Sequence, residues 1–276
     1  MRSLRLMAVL AHPDDESLGV GGTLAKYAAE GVDVFLLTAT RGERGGYCGY
    51  RPGDSRHPGS AALANIREAE LRAAASALGV HDLALLDYGD SQLAAADPQR
   101  AIADIVAHLR RARPDVVITF GPDGAYGHPD HIAISQYTTA AIVAAADRAY
   151  ADEAAGRALA AHAVRKLYYI AWPEATWAAY QSALKKLSVT VDDVERLVTP
   201  WPEWAITTAI DTRDVWPAVW QAVSCHESQI AAYHHLQELS PEHQAALWGR
   251  QSFYRAFSTV NGGRERETDL FEGIRL

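Results

Sequence analysis

The chain has 276 residues, 49% hydrophobic and 22% charged, an ordinary globular balance that excludes a disordered polypeptide and suffices for a core without disulfides or a structural metal. Its two cysteines, Cys48 and Cys225, form no C-x-x-C pair, so free thiols in a reducing, cytoplasmic compartment are expected. A net charge of −8 and the lack of any apolar run near the roughly 18 residues of a membrane span predict no nucleic-acid partner and no membrane span, while a homo-oligomer is compatible with the composition.

In chain order, short apolar runs alternate with helical stretches. Leu4–Leu10 reads as a first strand; the Pro13-Asp14-Asp15-Glu16 that follows resembles no signal-peptide cleavage region. A helix is expected over Leu24–Glu30, a second strand over Val32–Ala39, and a helix over Ile66–Leu78 that stops at Gly79. Leu83–Leu86 is a weaker third strand. Asp97-Pro98 caps a helix to Arg113, and Val116–Phe120 is a fourth strand. The alanine-rich Ala140–Ala163 reads as solvated helix and Lys166–Ala171 as a fifth strand. Beyond it, helices are expected near Glu174–Lys186, Val215–Ser224 and Pro241–Phe257, a turn at Pro200–Pro202, a strand near Ala205–Ile210, and a loosely ordered tail from Asn261.

Strands alternating with helices are repeated βαβ units. The expected fold is therefore α/β: a Rossmann-like three-layer arrangement with a mostly parallel sheet and the site at the carboxyl ends of its strands. With no linker or repeat, residues 1–276 read as one domain, a motif-bearing core over 1–145 completed by further strands and helices over 146–276.

Two clusters follow strand ends: His12-Pro13-Asp14-Asp15-Glu16 after strand one, and Tyr126-Gly127-His128-Pro129-Asp130-His131 after strand four. Alone, either His-Pro-Asp is readable as a turn with a capping carboxylate. Two of them at corresponding strand ends point to chemistry, because turn geometry has no need of histidine twice. Imidazole and carboxylate are zinc donors, and a catalytic zinc takes three protein ligands plus water. Two loops supply enough donors and leave a carboxylate over to act as base. Spacing does not decide which of His128 and His131 would be a ligand.

Together with Thr40-Arg41-Gly42-Glu43-Arg44-Gly45, Arg67-Glu68-Ala69-Glu70-Leu71, Asp87-Tyr88-Gly89-Asp90 and His226-Glu227-Ser228-Gln229, these clusters resemble the PIG-L/LmbE-like family of zinc-dependent N-acetylglucosaminyl deacetylases over nearly the whole chain. The resemblance implies that His12, Asp15 and His131 hold the metal, Zn(2+) or alternatively Fe(2+). It implies Asp14 as general base, His128 as the second catalytic residue, Asp130 as the carboxylate that orients His128 and keeps it charged, and Tyr126 beside the developing oxyanion. Arg67 and Asp90 would hold sugar hydroxyls, a mutual salt bridge being the alternative. The expected activity is hydrolytic removal of the acetyl group from a small amino-sugar conjugate. The rivals are an amidase cutting a larger acyl group from a thiol S-conjugate, and a sugar- or metal-binding protein without turnover; a spare base beside the ligands disfavours the latter.

Other features have plainer readings. Gly19, Gly21 and Gly22 invite a dinucleotide-binding assignment, but Asp14, Asp15 and Glu16 repel a pyrophosphate, so close helix packing is expected instead. The glycine-rich loop Arg41–Ser60 reads as a lid or rim, Trp216 and Trp220 as core, Trp172 as a sugar-stacking candidate, and His226 as structural support.

Overall fold

The computed structural model describes residues 3–150, 159–184, 188–191, 194–197, 199–231, 234–238, 240, 247–263 and 265–275. Its first part runs β1 (Arg5–Leu10), α1 (Asp15–Ala29), β2 (Asp33–Thr40), α2 (Ser60–Ala77), β3 (Asp82–Tyr88), α3 (Pro98–Ala112), β4 (Val116–Phe120), a single turn α4 (Gly124–Gly127), α5 (Pro129–Ala146) and β5 (Lys166–Ile170). Then follow α6 (Glu174–Leu184), a hairpin of β6 (Ser188–Val191) and β7 (Val194–Leu197), β8 (Thr208–Asp211), α7 (Trp216–Cys225), the short α8 (Glu227–Ile230) and α9 (His234–Gln237), and β9 (Arg250–Ser258).

The main sheet has seven strands in the order β3-β2-β1-β4-β5-β9-β8. β1 to β5 are mutually parallel, whereas β9 runs antiparallel to both β5 and β8. The chain moves from β1 outward through β2 to β3, then jumps back across β1 to β4. Right-handed crossovers in opposite directions put their helices on opposite faces: α1 and α2 pack together with α7, and α3 packs on α5. β1 and β4 are fully or almost fully buried over their apolar residues, as strands covered on both faces must be. Their carboxyl ends form the point where the strand order reverses, the usual place for a ligand in such sheets.

Several expectations are corrected. α1 begins at Asp15 rather than Leu24 and takes in all three glycines; a Cβ on Gly22 would lie 2.8 Å from Thr212 Cβ, and one on Gly21 3.2 Å from Val219, so the close packing they permit is against α7 and its approach, not the sheet. α2 and β3 are longer than expected. The alanine-rich helix ends at Ala146, and 151–158 fall outside the described residues. The last predicted helix fails most clearly. Arg250–Ser258 is a strand inserted between β5 and β8, while 241–246 lie outside the described residues. The spacing of Phe253 and Phe257 mimics one face of a helix. The tail from Asn261 is not loose either: Leu270 and Phe271 are completely buried and Glu267 nearly so. Among the described residues no helix is long and apolar enough to cross a membrane.

Candidate metal and catalytic site

His12, Pro13 and Asp14 form the turn between β1 and α1, and Tyr126 to His131 carry the chain from α4 into α5. The strand-order reversal brings the two loops together. Asp15, the first residue of α1, turns its carboxylate back: Oδ2 accepts from the backbone N–H of His12 (2.8 Å) and of Ala11 (3.2 Å). Its Oδ1 lies 3.4 Å from His131 Nε2, its Oδ2 lies 3.7 Å from His12 Nδ1, and the two imidazole nitrogens stand 3.2 Å apart.

The other nitrogen of each ring settles its tautomer. His131 Nδ1 faces the Gly124 carbonyl oxygen at 3.2 Å and must donate to it, leaving a lone pair on Nε2. His12 Nε2 faces Asp130 Oδ2 at 3.2 Å and Asp90 Oδ1 at 3.4 Å, both acceptors, so it too carries the proton and leaves a lone pair on Nδ1. With both rings neutral, two nitrogen lone pairs and a carboxylate oxygen converge on one point, an arrangement that is repulsive unless a metal ion or a proton lies at its centre. Donors about 2.0–2.2 Å from a tetrahedral ion stand roughly 3.3–3.6 Å apart, a range that the 3.2, 3.4 and 3.7 Å found here bracket. Carboxylates on the far nitrogen of a ligating imidazole are the usual outer support of such a site.

A proton can take the ion's place. Burial alone would lower the His12 pKa, but hydrogen bonds to Asp130 and Asp90 and the charge of Asp15 outweigh it and raise the value to about 10, so the ring keeps a second proton, on Nδ1, until a metal ion displaces it. The carboxyl of Asp15 is held well below the usual range: burial opposes ionisation, but His131 and His12 favour it. Asp14 is different, because burial raises its pKa despite the guanidinium of Arg67. A carboxylate with a raised pKa near a metal site is a suitable proton acceptor.

The loop from β4 corrects one sequence expectation. Asp130 does not orient His128 through its carboxylate. That group is fully buried and accepts from Ser91 N (2.7 Å) and Leu93 N (3.1 Å) as well as His12 Nε2. His128 instead caps α5, its Nδ1 accepting from the backbone N–H of Asp130 at 3.1 Å. A ring nitrogen that accepts this bond is unprotonated. Accordingly the His128 pKa is pushed down to about 4, first by burial and then by the charges of His12 and His131, rather than up as expected from the neighbouring acid. Its ring stays in the cluster, with centroids 4.7 Å from His12 and 4.8 Å from His131. Among the described residues two groups of donors lie close enough to share one ion: nitrogens of His12, His128 and His131, and His12 with Asp90 and Asp130. Tyr126, after the left-handed Ala125 (φ 62°), sets its ring edge-on to His131 at 5.0 Å.

Arg67 and Asp90 are both buried here but do not pair with each other. Arg67 donates to the carbonyls of Gly42 (2.8 Å) and Pro13 and to Asp14 Oδ2 (3.1 Å), so it braces the β1 loop rather than standing open to a sugar. Asp90 accepts from Arg44 N at 2.9 Å and faces His12. The Arg41–Ser60 loop is tied to the segment of α8: Cys48 N donates to Ser228 O at 2.7 Å, and Gln229 Nε2 to Gly46 O at 2.9 Å. Trp172 packs between the two apolar clusters. Sequence reasoning missed the charge on Glu16, which is completely buried, and its bond to His226, 2.7 Å from Nε2 to Oε1. The glutamate directly after two site acids was the only local signal.

A parallel α/β sheet with buried histidines and aspartates able to hold a metal ion at its strand-order reversal is the arrangement of a metal-dependent hydrolase. Residues 7–142 match the family described as PIG-L: GlcNAc-PI de-N-acetylase, and the chain belongs to that family of deacetylases. Over 98% of its length it is 37% identical to a 1D-myo-inositol 2-acetamido-2-deoxy-alpha-D-glucopyranoside deacetylase of Kineococcus radiotolerans, covering 83% of that protein. It is 36% identical to the protein of the same description in Rhodococcus jostii, over 99% of both chains. Among solved structures, the N,N'-diacetylchitobiose deacetylase of Pyrococcus horikoshii superposes with a TM-score of 0.66 at 19% identity over 91% of this chain and 83% of that one. A 4-carboxy-2-hydroxymuconate hydratase of Pseudomonas putida superposes with a TM-score of 0.67 at 18% identity over 94% and 99%. At such identities the likeness is one of fold, and a fold shared by a deacetylase and a hydratase leaves function to the site.

Proposed function

We propose that the chain hydrolyses the acetamide of an N-acetylglucosamine joined to inositol, releasing acetate and the free amine. The full-length likeness to deacetylases described for that substrate supports the inositol conjugate. The observation that carries the chemistry is the convergence of His12 Nδ1, His131 Nε2 and the Asp15 carboxylate on one point.

These three residues would hold zinc, with iron(II) as the alternative for the same donors. A divalent ion held there would supply an acidified water, its pKa brought from 15.7 toward about 7, and would polarise the acetyl carbonyl. Asp14, its pKa raised by burial, takes the proton from the attacking water. Arg67 holds that carboxylate in place at 3.1 Å. His128 is neutral on entering the reaction, so it donates a hydrogen bond to the oxygen that gains charge; Tyr126, edge-on to the same histidines, offers a phenolic hydroxyl. Asp130 acts on the metal side by fixing His12. Asp90, beside it, is the remaining candidate for sugar hydroxyls. The reaction takes place in the cytoplasm, and the whole chain works as one domain because β9 and β8 complete the sheet begun by β1 to β5.

The test is amine release from a panel comprising the N-acetylglucosaminyl-inositol conjugate, free N-acetylglucosamine and thiol S-conjugates carrying larger acyl groups. The conjugate with inositol should have the highest kcat/KM. No amine from it with the metal loaded, or preference for an S-conjugate, would overturn the reading.

A further inference from the structure

Asp14 occupies an unusual position. It is the N-cap of α1, where aspartate ordinarily turns its carboxylate onto the helix's first free N–H groups. Here that side chain makes no capping bond, and the residue sits at φ 104°, ψ −25°, a left-handed backbone costly for anything but glycine. Something must hold it there. Glu16, two residues on, reaches back so that its Oε2 accepts from the Asp14 backbone N–H at 3.0 Å, as the glutamate of a capping box does. The cap is thus supplied in reverse, and the carboxylate of Asp14 is left for the site.

Glu16 is itself completely buried, so its charge needs partners. Oε1 takes the Ser17 hydroxyl at 2.5 Å and His226 Nε2 at 2.7 Å. His226 stands at the corner between α7 and α8, 210 positions away, and is 1% exposed. That corner is tied to the rest of the molecule by Ser228, whose N–H and hydroxyl both donate to Glu70 of α2 at 2.7 Å. Arg67, one turn before Glu70, grips Asp14 from the other side.

We infer that Glu16 and His226 form a positioning pair, by which the α7–α8 corner locks Asp14 in the left-handed conformation that presents its carboxylate to the attacking water. The inference rests on the reading of Asp14 as the base. Neither residue touches substrate; both act through the Asp14 backbone. Without His226 the glutamate loses its strongest partner and swings, and the N-cap relaxes toward an ordinary one in which Asp14 caps its own helix.

The experiment is a double-mutant cycle on the metal-loaded protein, measuring kcat, KM and bound metal for His226→Ala, His226→Gln, Glu16→Gln, Asp14→Asn and the His226→Ala/Asp14→Asn pair. His226→Ala should lower kcat about tenfold or more with KM and metal content unchanged. His226→Gln, which keeps a donor toward Glu16, should recover most of the loss. In the Asp14→Asn background the His226 change should add nothing, because the group it positions is already disabled. Glu16→Gln gives the same kcat loss and serves in place of His226→Ala if that variant does not fold. A lowered melting temperature with unchanged kcat, an equal loss in both backgrounds, or a rise in KM alone would overturn the pair's role. An undiminished kcat for Asp14→Asn would instead overturn the base assignment, a separate outcome of the same cycle.

Discussion

Buried charge is handled in opposite ways at the two ends of the sheet. At the antiparallel edge, Glu267 is 2% exposed and receives five donors: Lys166 Nζ (2.6 Å), Arg255 (2.7 Å) and Asn261 (2.7 Å) on Oε1, Tyr168 (2.6 Å) and Thr208 (2.8 Å) on Oε2. Every lone pair is used, and the cluster fastens the tail to β5, β8 and β9. At the ends of β1 and β4, Asp14, Asp15, Asp90 and Asp130 crowd around two imidazoles whose facing nitrogens, 3.2 Å apart, cannot both carry a hydrogen, with the guanidinium of Arg67 on Asp14. A saturated network is a structural device, whereas an excess of acceptors converging on one point is a site awaiting a cation. The distinction lies in the donor count, not in burial.

The largest effects should come from upsetting the acceptor-rich end. Asp15→Ala and His131→Ala should purify without metal and release no amine, while His128→Ala keeps its ion and loses most turnover. Metal analysis beside an amine-release assay checks this. Retention of metal by Asp15→Ala together with its loss from His128→Ala would hand the site to the three histidines instead. At the saturated end the same kind of change should act on stability alone. Glu267→Ala leaves Lys166, wholly buried, without its counter-ion, a loss of about 3–5 kcal/mol by denaturant unfolding, with kcat per folded molecule unchanged. A kcat that fell in proportion would erase the contrast between the two ends.

Asp14→Asn is the converse. Turnover should drop by about 10²-fold or more, equivalent to about 2.7 kcal/mol of barrier, with metal content and melting temperature near those of the parent. A smaller effect separates the ends by pH. Burial would raise the Glu267 pKa, but its donors, Lys166 and Tyr168 foremost, outweigh that and hold it at about 2 against an ordinary 4.5. A depressed folded-state value means the contribution to stability is complete above about pH 4.5 and is lost as the pH falls toward about 2. Glu267→Gln should flatten that limb of the stability curve, and an unchanged limb would place the acid sensitivity elsewhere.

What the chain disclosed in advance follows the same division. The parallel half was legible because each strand is a compact apolar run and the reactive side chains sit in the few residues after it, so topology alone gathers them. The orientation of the carboxylates was not legible. Asp130 neighbours His128 in sequence, yet a helix start turns its carboxylate toward His12 and the backbone of residues 91 and 93. The bond from Glu16 to His226 spans 210 positions, and no local pattern announces it. The segment of β9 falls in the expected helix near Pro241–Phe257, and Phe253 and Phe257, four apart, fit a helical period as well as a strand; the free edge of β5 is what makes it a strand. The tail's polar composition suggests a loose segment, yet two of its residues, Asn261 and Glu267, are bonded to each other, and Glu267 also takes Arg255 of β9.

The smallest predicted effects test the seam between the halves, where α1 meets the segment entering α7. Helical glycine costs about 0.5–1 kcal/mol relative to alanine, so Gly→Ala is stabilising wherever a methyl fits. At Gly19 it fits, since the nearest atom to an added Cβ is Ile170 Cδ1 at 3.6 Å, an ordinary contact. At Gly22 it does not, since the Cβ would lie 2.8 Å from Thr212 Cβ and 3.0 Å from Cγ2. Thr212 has little room to yield, because its hydroxyl donates to the Trp248 carbonyl and its N–H to that of Gly249. Overpacking of this kind costs about 1–3 kcal/mol, more than the helix propensity returns. Gly19→Ala should therefore raise the melting temperature and Gly22→Ala lower it, each by about 2–4 °C per kcal/mol for a chain of this size. If both variants gained stability, Thr212 would have moved aside, and the seam would be a soft contact rather than a rigid one.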